Sequence, residues 1–348
     1  MSVIIIFHSP LPEGAPPDET DVLQEAVFFH DALIQTGFKV ITKPFPYHQK
    51  DLMKLTETVQ PIFVVNLVET LFSSGKLVHF APFLFEHIRL PYTGCSAHAM
   101  YISSHKVLSK QLMQAHGIKT PRYFSWEGLK HAPAKAIHNP FLIKSIWEHA
   151  SFGLHENYPL LFESKEELLS NCATKPNPEE HFCEEYIHGR EFNLSLIEGP
   201  QGMQVLPPAE LVFSYPSGKP HILGYKAKWD TNSFEYRNTN RTFSFSPDDR
   251  SLINRLKSIA LQCSNIFELR GYARVDFRVD DQENIFVLEI NANPCISEDS
   301  GFVAAARMEG LSDTETVKRI IMHLPQGQAA KPNRVLHHED KIQEKHPR

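Results

Sequence analysis

Apolar runs and apolar stripes alternate through the first third of the chain. Residues 3–7 form a short, continuous apolar run of the kind buried on both faces of a sheet, and His8-Ser9-Pro10 ends it. A Pro-rich stretch follows to about Thr20. Over 21–36, Val22, Ala26, Phe29 and Leu33 recur at helical spacing, and Gly37 stands where helix C-termini are often capped. Residues 38–42 and 62–66 are β-branched runs, and 77–89 has helical spacing before the turn Leu90-Pro-Tyr-Thr-Gly94. This order of strands and helices predicts a small open parallel sheet. The GxGxxG spacing of a dinucleotide site is absent from it.

Residues 96–116 read as one helix closed by Gly117. Strand patterns follow at 140–145 and 182–186, with a charged helical stretch at 164–173 between them. The last third carries strand patterns at 192–197, 223–229, 272–279 and 285–291, and helical ones at 247–267 and about 314–323. Beyond Pro325 the apolar periodicity is lost and a mobile tail is expected. The pattern as a whole predicts an α/β protein with an N-terminal small-sheet domain at 1–94 and two further units at 95–187 and 188–326, followed by a tail at 327–348.

Composition narrows the function more than the fold. Hydrophobic residues at 42% and charged residues at 22% are ordinary for a globular chain. The net charge of -6 is spread out, without the clustered basic stripe of a nucleic-acid surface. Nothing approaches the roughly 20 apolar residues that span a bilayer, and the first apolar run is too short for a secretory signal. Five scattered cysteines without a CxxC pair read as reduced thiols, so a cytoplasmic location is expected.

The segment 271–291 carries the chemistry. Two alternating runs flank a polar turn at 281–284, and pairing Asp280 with Ile285 sets Asp276 opposite Glu289 and Arg274 opposite Asn291. Alternation then puts Arg274, Asp276, Glu289 and Asn291 on one face, and Val275, Phe277, Leu288 and Ile290 on the other. Facing carboxylates repel, and a cation between them relieves the repulsion. Two carboxylates and an amide oxygen suit hard Mg²⁺, with Mn²⁺ as the alternative.

Arg274-Val-Asp276 followed by Leu288-Glu-Ile-Asn-Ala-Asn-Pro294 resembles the metal-binding end of ATP-grasp ligases, most closely the D-alanine–D-alanine ligase family. The resemblance covers about residues 90–325 and is looser before that. It implies an ATP-grasp fold preceded by the small parallel-sheet domain. It also implies that Lys106, behind His105 where the family has Asp, contacts ATP phosphate, and that Lys144 binds the nucleotide. The loop 145–153 would cover the phosphates, with Ser151 as a hydroxyl donor. In Glu184-Glu-Tyr-Ile-His-Gly-Arg-Glu191, the backbone around Tyr186 and Ile187 would read adenine, with Glu184 near its amino group and Glu191 on the ribose. Lys228 would end a strand and reach the phosphates, and Arg274 would steady the oxyanion.

On the substrate side the resemblance points to Glu69, Cys295, Ser297 and Ser300. Cys295 replaces a glycine and reads as a neutral filler. Asp18 or Glu19 would meet a substrate ammonium. Arg237 and Arg241 lie in the segment 231–245, where the family has its lid. The implied reaction joins a small-molecule carboxylate to an amine through an acyl phosphate, using ATP and Mg²⁺. The departures point away from D-alanine. A true D-alanine–D-alanine ligase and a nucleotide-binding regulator without ligase chemistry remain alternatives. Homodimers are common in that family, which makes one an expectation here.

Overall fold

The protein is described here by a computed structural model covering residues 2–147 and 160–324. Strand β1 (Val3–His8) buries Ile4, Ile5, Ile6 and Phe7 completely, because it is the middle strand of a parallel sheet. Strands β2 (Lys39–Pro44) and β3 (Phe63–Leu67) flank it in the order β2-β1-β3. The helix Pro17–Gln35 starts earlier than the apolar stripe suggests. Pro17 occupies its first turn, where a missing N–H costs little, and Asp18 and Glu19 there interact favourably with the positive end of the helix dipole. Val22, Ala26, Phe29 and Leu33 are buried, as their spacing predicts. The helix Gln49–Val59 has no counterpart in the pattern, since Leu52 is its one buried residue.

Two expected helices are divided. The span 77–89 begins on the last residue of a 3₁₀ turn, Gly75–Leu77, and its helix is confined to Phe80–His87. The span 96–116 holds Ala97–Ser104 and Lys106–Ala115, separated by an extended His105. The His105 ring Nδ1 accepts the Leu108 amide at 3.1 Å, so this side chain caps the second helix. The Lys106 amide in turn donates to Ile146 O at 3.0 Å, which fixes Lys106 beside the end of a strand. His105→Ala is expected to lower stability by about 1 kcal/mol. Urea unfolding checks this, and an unchanged midpoint would mean the break holds without the cap.

A second, antiparallel sheet contains β4 (Tyr123–Ser125), β5 (Phe141–Ser145) and β6 (His181–Glu185) in the order β4-β6-β5. The third sheet runs β10-β9-β7-β11-β12, and β8 pairs with β7. Its strands are β7 (Arg190–Gly199), β8 (Gly202–Val205), β9 (Ala209–Phe213), β10 (Thr239–Thr242), β11 (Tyr272–Val279) and β12 (Ile285–Asn291). Leu252, Leu256, Ala260 and Cys263 of the helix Arg250–Ile266 share a core with Phe192, Val275, Phe277 and Ile290 of this sheet. Between β6 and β7, Gly189 has φ 134°, and a Cβ there would lie 2.0 Å from Val279 O. No side chain fits.

Three sequence expectations fail here. The strand at 223–229 is instead the short helix Tyr225–Trp229. Over so few residues one helical turn and a strand leave the same apolar trace. The segment 231–245 that follows holds the turn Phe234–Arg237 and strand β10, which pairs with β9. In the hairpin, Arg274 faces Asn291 and Asp276 faces Glu289 as expected. Past Asp276 the register slips by one, so Val279 faces Ile285 and Asp280 does not. Asp280 Oδ1 instead accepts the amides of Gln282 (3.0 Å) and Asn284 (2.8 Å), an Asx-type turn. Leu288 is the extra residue of the resulting bulge, and it lines a cleft rather than joining the apolar face.

Candidate active site

A cleft of about 790 Å³ draws its lining from β5, β6, β7, β11 and β12, the helix Pro17–Gln35 and the segment around β10. Lys106, Lys144, Glu184, Tyr186, Ile187, Glu191, Lys228, Arg274, Asp276, Glu289 and Asn291 all line it. So do Glu69, Cys295, Ser297 and Ser300. Ser151 lies outside the described residues.

The acidic face is charge-compensated. Arg274 grips Asp276 with two bonds, Nε to Oδ1 at 2.8 Å and Nη2 to Oδ2 at 2.9 Å. Asn193, directly across on β7, donates to Asp276 Oδ1 at 2.7 Å. Lys106 Nζ stands 3.8 Å from Glu289 Oε2. Burial opposes the charge on Arg274, but Asp276 and Glu289 outweigh it and hold the guanidinium above its usual range. Asp276, Glu289 and Asn291 share this face and offer oxygen donors, which fits a hard divalent ion.

Glu184 is the centre of a second electrostatic unit. It is 1% exposed and forms ion pairs with both Lys110 and Lys144. Burial pushes its carboxyl upward, but the two lysines reverse this and hold it below the usual range. Lys110, also 1% exposed, donates further to Thr120 Oγ1 (2.8 Å) and Leu288 O (3.2 Å). Lys144 keeps part of its surface toward the cleft. Glu191 pairs with Arg278 at 2.8 Å, and Arg278 also donates to the carbonyls of Gly189 and His221. The Tyr186 amide is occupied by Pro140 O at 2.8 Å and so is not open to a ligand. Lys228 sits on the short helix, and burial lowers its ammonium from the usual lysine range.

At the other end, the Cys295 thiol donates to Asp21 Oδ2 at 3.0 Å and lies 3.1 Å from Ser297 Oγ. Burial, then Glu25 and Asp21, push this thiol well above its ordinary value, which disfavours the thiolate. Ser297 bonds Asp299 at 3.1 Å, while Ser300 caps the helix Gly301–Met308. Asp18 accepts the Tyr225 hydroxyl at 3.0 Å and lines the cleft.

Sequence reasoning passed over Asn193, Arg278, Lys110 and Asp21. Alternation was the available signal for two of them, since Asn193 lies two residues beyond Glu191 and Arg278 two beyond Asp276. Lys110 lies four residues beyond Lys106, on the same helical face.

Residues 112–322 match the protein family described as D-ala D-ala ligase C-terminus. An uncharacterized protein of Sinorhizobium fredii is 30% identical over 317 residues, covering 90% of this chain and 88% of that one. A D-alanine–D-alanine ligase of Aquifex aeolicus is 28% identical over 244 residues, covering 68% of this chain and 75% of that one. Among solved structures, the D-alanine–D-alanine ligase from Bacillus anthracis complexed with ATP is similar with a TM-score of 0.70 at 18% identity, covering 93% of this chain and 97% of that one. The VanG D-Ala:D-Ser ligase from Enterococcus faecalis gives 0.67 at 16% identity, covering 92% and 98%. These structural likenesses establish the ATP-grasp fold. Among the described residues no helix is long and apolar enough to cross a membrane.

Proposed function

This chain belongs to the family described as D-ala D-ala ligase C-terminus, and we propose that it is an ATP- and Mg²⁺-dependent carboxylate–amine ligase of a specificity other than D-alanine. The observation that carries this reading is the shared face of Arg274, Asp276, Glu289 and Asn291, met by Lys106 in the same cleft as Lys144. A carboxylate is a poor electrophile at neutral pH, and transfer of the γ-phosphoryl group gives it a leaving group. The substrate carboxylate attacks the γ-phosphorus, forming an acyl phosphate and ADP. The amine then attacks the acyl carbon and expels phosphate.

Asp276, Glu289 and Asn291 would hold Mg²⁺, which when bound neutralises charge on the phosphates. Lys106, Lys144 and Lys228 supply charge-assisted contacts to phosphate oxygens. With the Tyr186 amide engaged, the Tyr186 carbonyl and the Ile187 backbone are the groups that read the base, and Glu191, steadied by Arg278, meets the ribose. Arg274, with five donors in a planar fork, stabilises the anionic oxygens that develop at the acyl carbon. A side chain at Cys295 and the arginines 237 and 241 reshape the region where the acyl group and acceptor meet.

The test is a phosphate-release screen of amino-acid and dipeptide pairs, followed by mass measurement of the product. Amine-dependent release with a condensed product supports the reading. ATP binding with no release from any pair would point to a regulator. Efficient turnover of D-alanine alone would assign a D-alanine–D-alanine ligase.

A further inference from the structure

Asp18, Asp21 and Glu25 follow the spacing i, i+3, i+7 and so share one face of the helix Pro17–Gln35. Asp18, Asp21, Glu69 and Cys295 line the cleft. One ligand atom each from Asp21, Glu25 and Cys295 lie within 4.8 Å of one another. Glu25 is 2% exposed in the middle of an apolar stripe, and its Oε1 has no hydrogen-bond partner among the described residues. Folding alone does not favour that arrangement, because a buried, half-satisfied carboxyl costs free energy that an apolar residue would not.

The electrostatics are equally one-sided. Burial and neighbouring acids raise Asp21, Glu25 and Glu69, the last to about 8. This contrasts with the rest of the cleft, where Asp276, Glu184 and Glu191 each have a cationic partner. A single α-ammonium needs one carboxylate, and Asp18, which also lines the cleft, would be enough for it. Asp21, Glu25 and Glu69 exceed that need.

We propose that Asp21, Glu25 and Glu69 form a pocket for a second ammonium group, so that one of the two molecules joined is a diamino acid with a primary amine on its side chain. This inference takes from the ligase reading only that the bound molecule is a substrate. Glu25 Oε1 supplies the missing hydrogen-bond partner, and the ammonium supplies the missing charge. The Cys295 thiol, already bonded to Asp21, forms one wall.

The test is calorimetric titration of the full-length protein saturated with Mg²⁺ and a non-hydrolysable ATP analogue. The probes are diaminobutyrate, ornithine and lysine, each as D and L forms, against aminobutyrate, norvaline and norleucine as matched neutral chains. At least one diamino acid is expected to bind about tenfold or more tightly than its neutral match. Asp21→Asn combined with Glu25→Gln should bring that ratio close to one while ATP-analogue affinity is unchanged. Should that variant fail to fold, Glu69→Gln, outside the helix, carries the same expectation. Equal binding of charged and neutral chains overturns the proposal, as does a preference that survives substitution. Tight binding of Zn²⁺ alone that excludes the diamino acids would make the cluster a metal site instead. A charged preference in this titration, with no phosphate released when the same diamino acids are offered in amino-acid pairs with ATP itself, would sink the ligase reading and leave the pocket standing.

Discussion

Replacing Glu289 with glutamine will lower kcat by about 10³-fold while the protein remains folded. The change is isosteric and removes one negative charge from a set of three oxygen ligands. β12 packs through Val287 and Ile290, both fully buried, and neither is disturbed. The Glu289 side chain is 25% exposed, and Lys106 Nζ, 3.8 Å away, is beyond hydrogen-bond reach of it. Phosphate release at increasing Mg²⁺, alongside thermal unfolding, measures both halves of this expectation. A kcat within tenfold of the parent at every Mg²⁺ concentration would remove Glu289 from the metal set.

Lys110→Met should be the most damaging substitution for stability. Lys110 and Glu184 are both 1% exposed, and the methionine leaves the carboxylate with Lys144 alone in a dry environment. Breaking one side of a buried ion pair costs about 3–5 kcal/mol, because the surviving charge keeps its desolvation penalty. The substitution also frees the Thr120 hydroxyl and the Leu288 carbonyl. Adding Glu184→Gln should recover part of the loss by removing that charge. Urea unfolding of both variants decides it; a loss below about 1 kcal/mol for Lys110→Met would mean that Lys144 alone compensates Glu184.

The acidic hairpin was legible because alternation is a local rule. Two runs and a polar turn suffice to bring Asp276 opposite Glu289, even with the turn itself misaligned by one. The bulge at Leu288 was hidden, since no glycine or proline marks it and the pairing it changes depends on the Asp280 turn. The break at His105 was hidden for a related reason: histidine is not an ordinary cap, and only the ring's contact with Leu108 shows it acting as one. The short helix at Lys228 is too brief to leave a period. The acid pocket failed differently. The spacing of Asp18, Asp21 and Glu25 is readable, but Cys295 joins it from the far end of the chain, and no local pattern encodes that meeting.

Strand β12 ends the order of its sheet, and an end strand ordinarily offers unpaired backbone groups to other chains. Here the Val287 amide is taken by Lys119 O at 2.9 Å, and the Leu288 carbonyl by the interior Lys110. The bulge interrupts what ladder is left. The strand that contributes Glu289 and Asn291 is therefore closed to a foreign strand docking along it, which guards the protein against edge-to-edge aggregation where its ligand-binding side chains are concentrated.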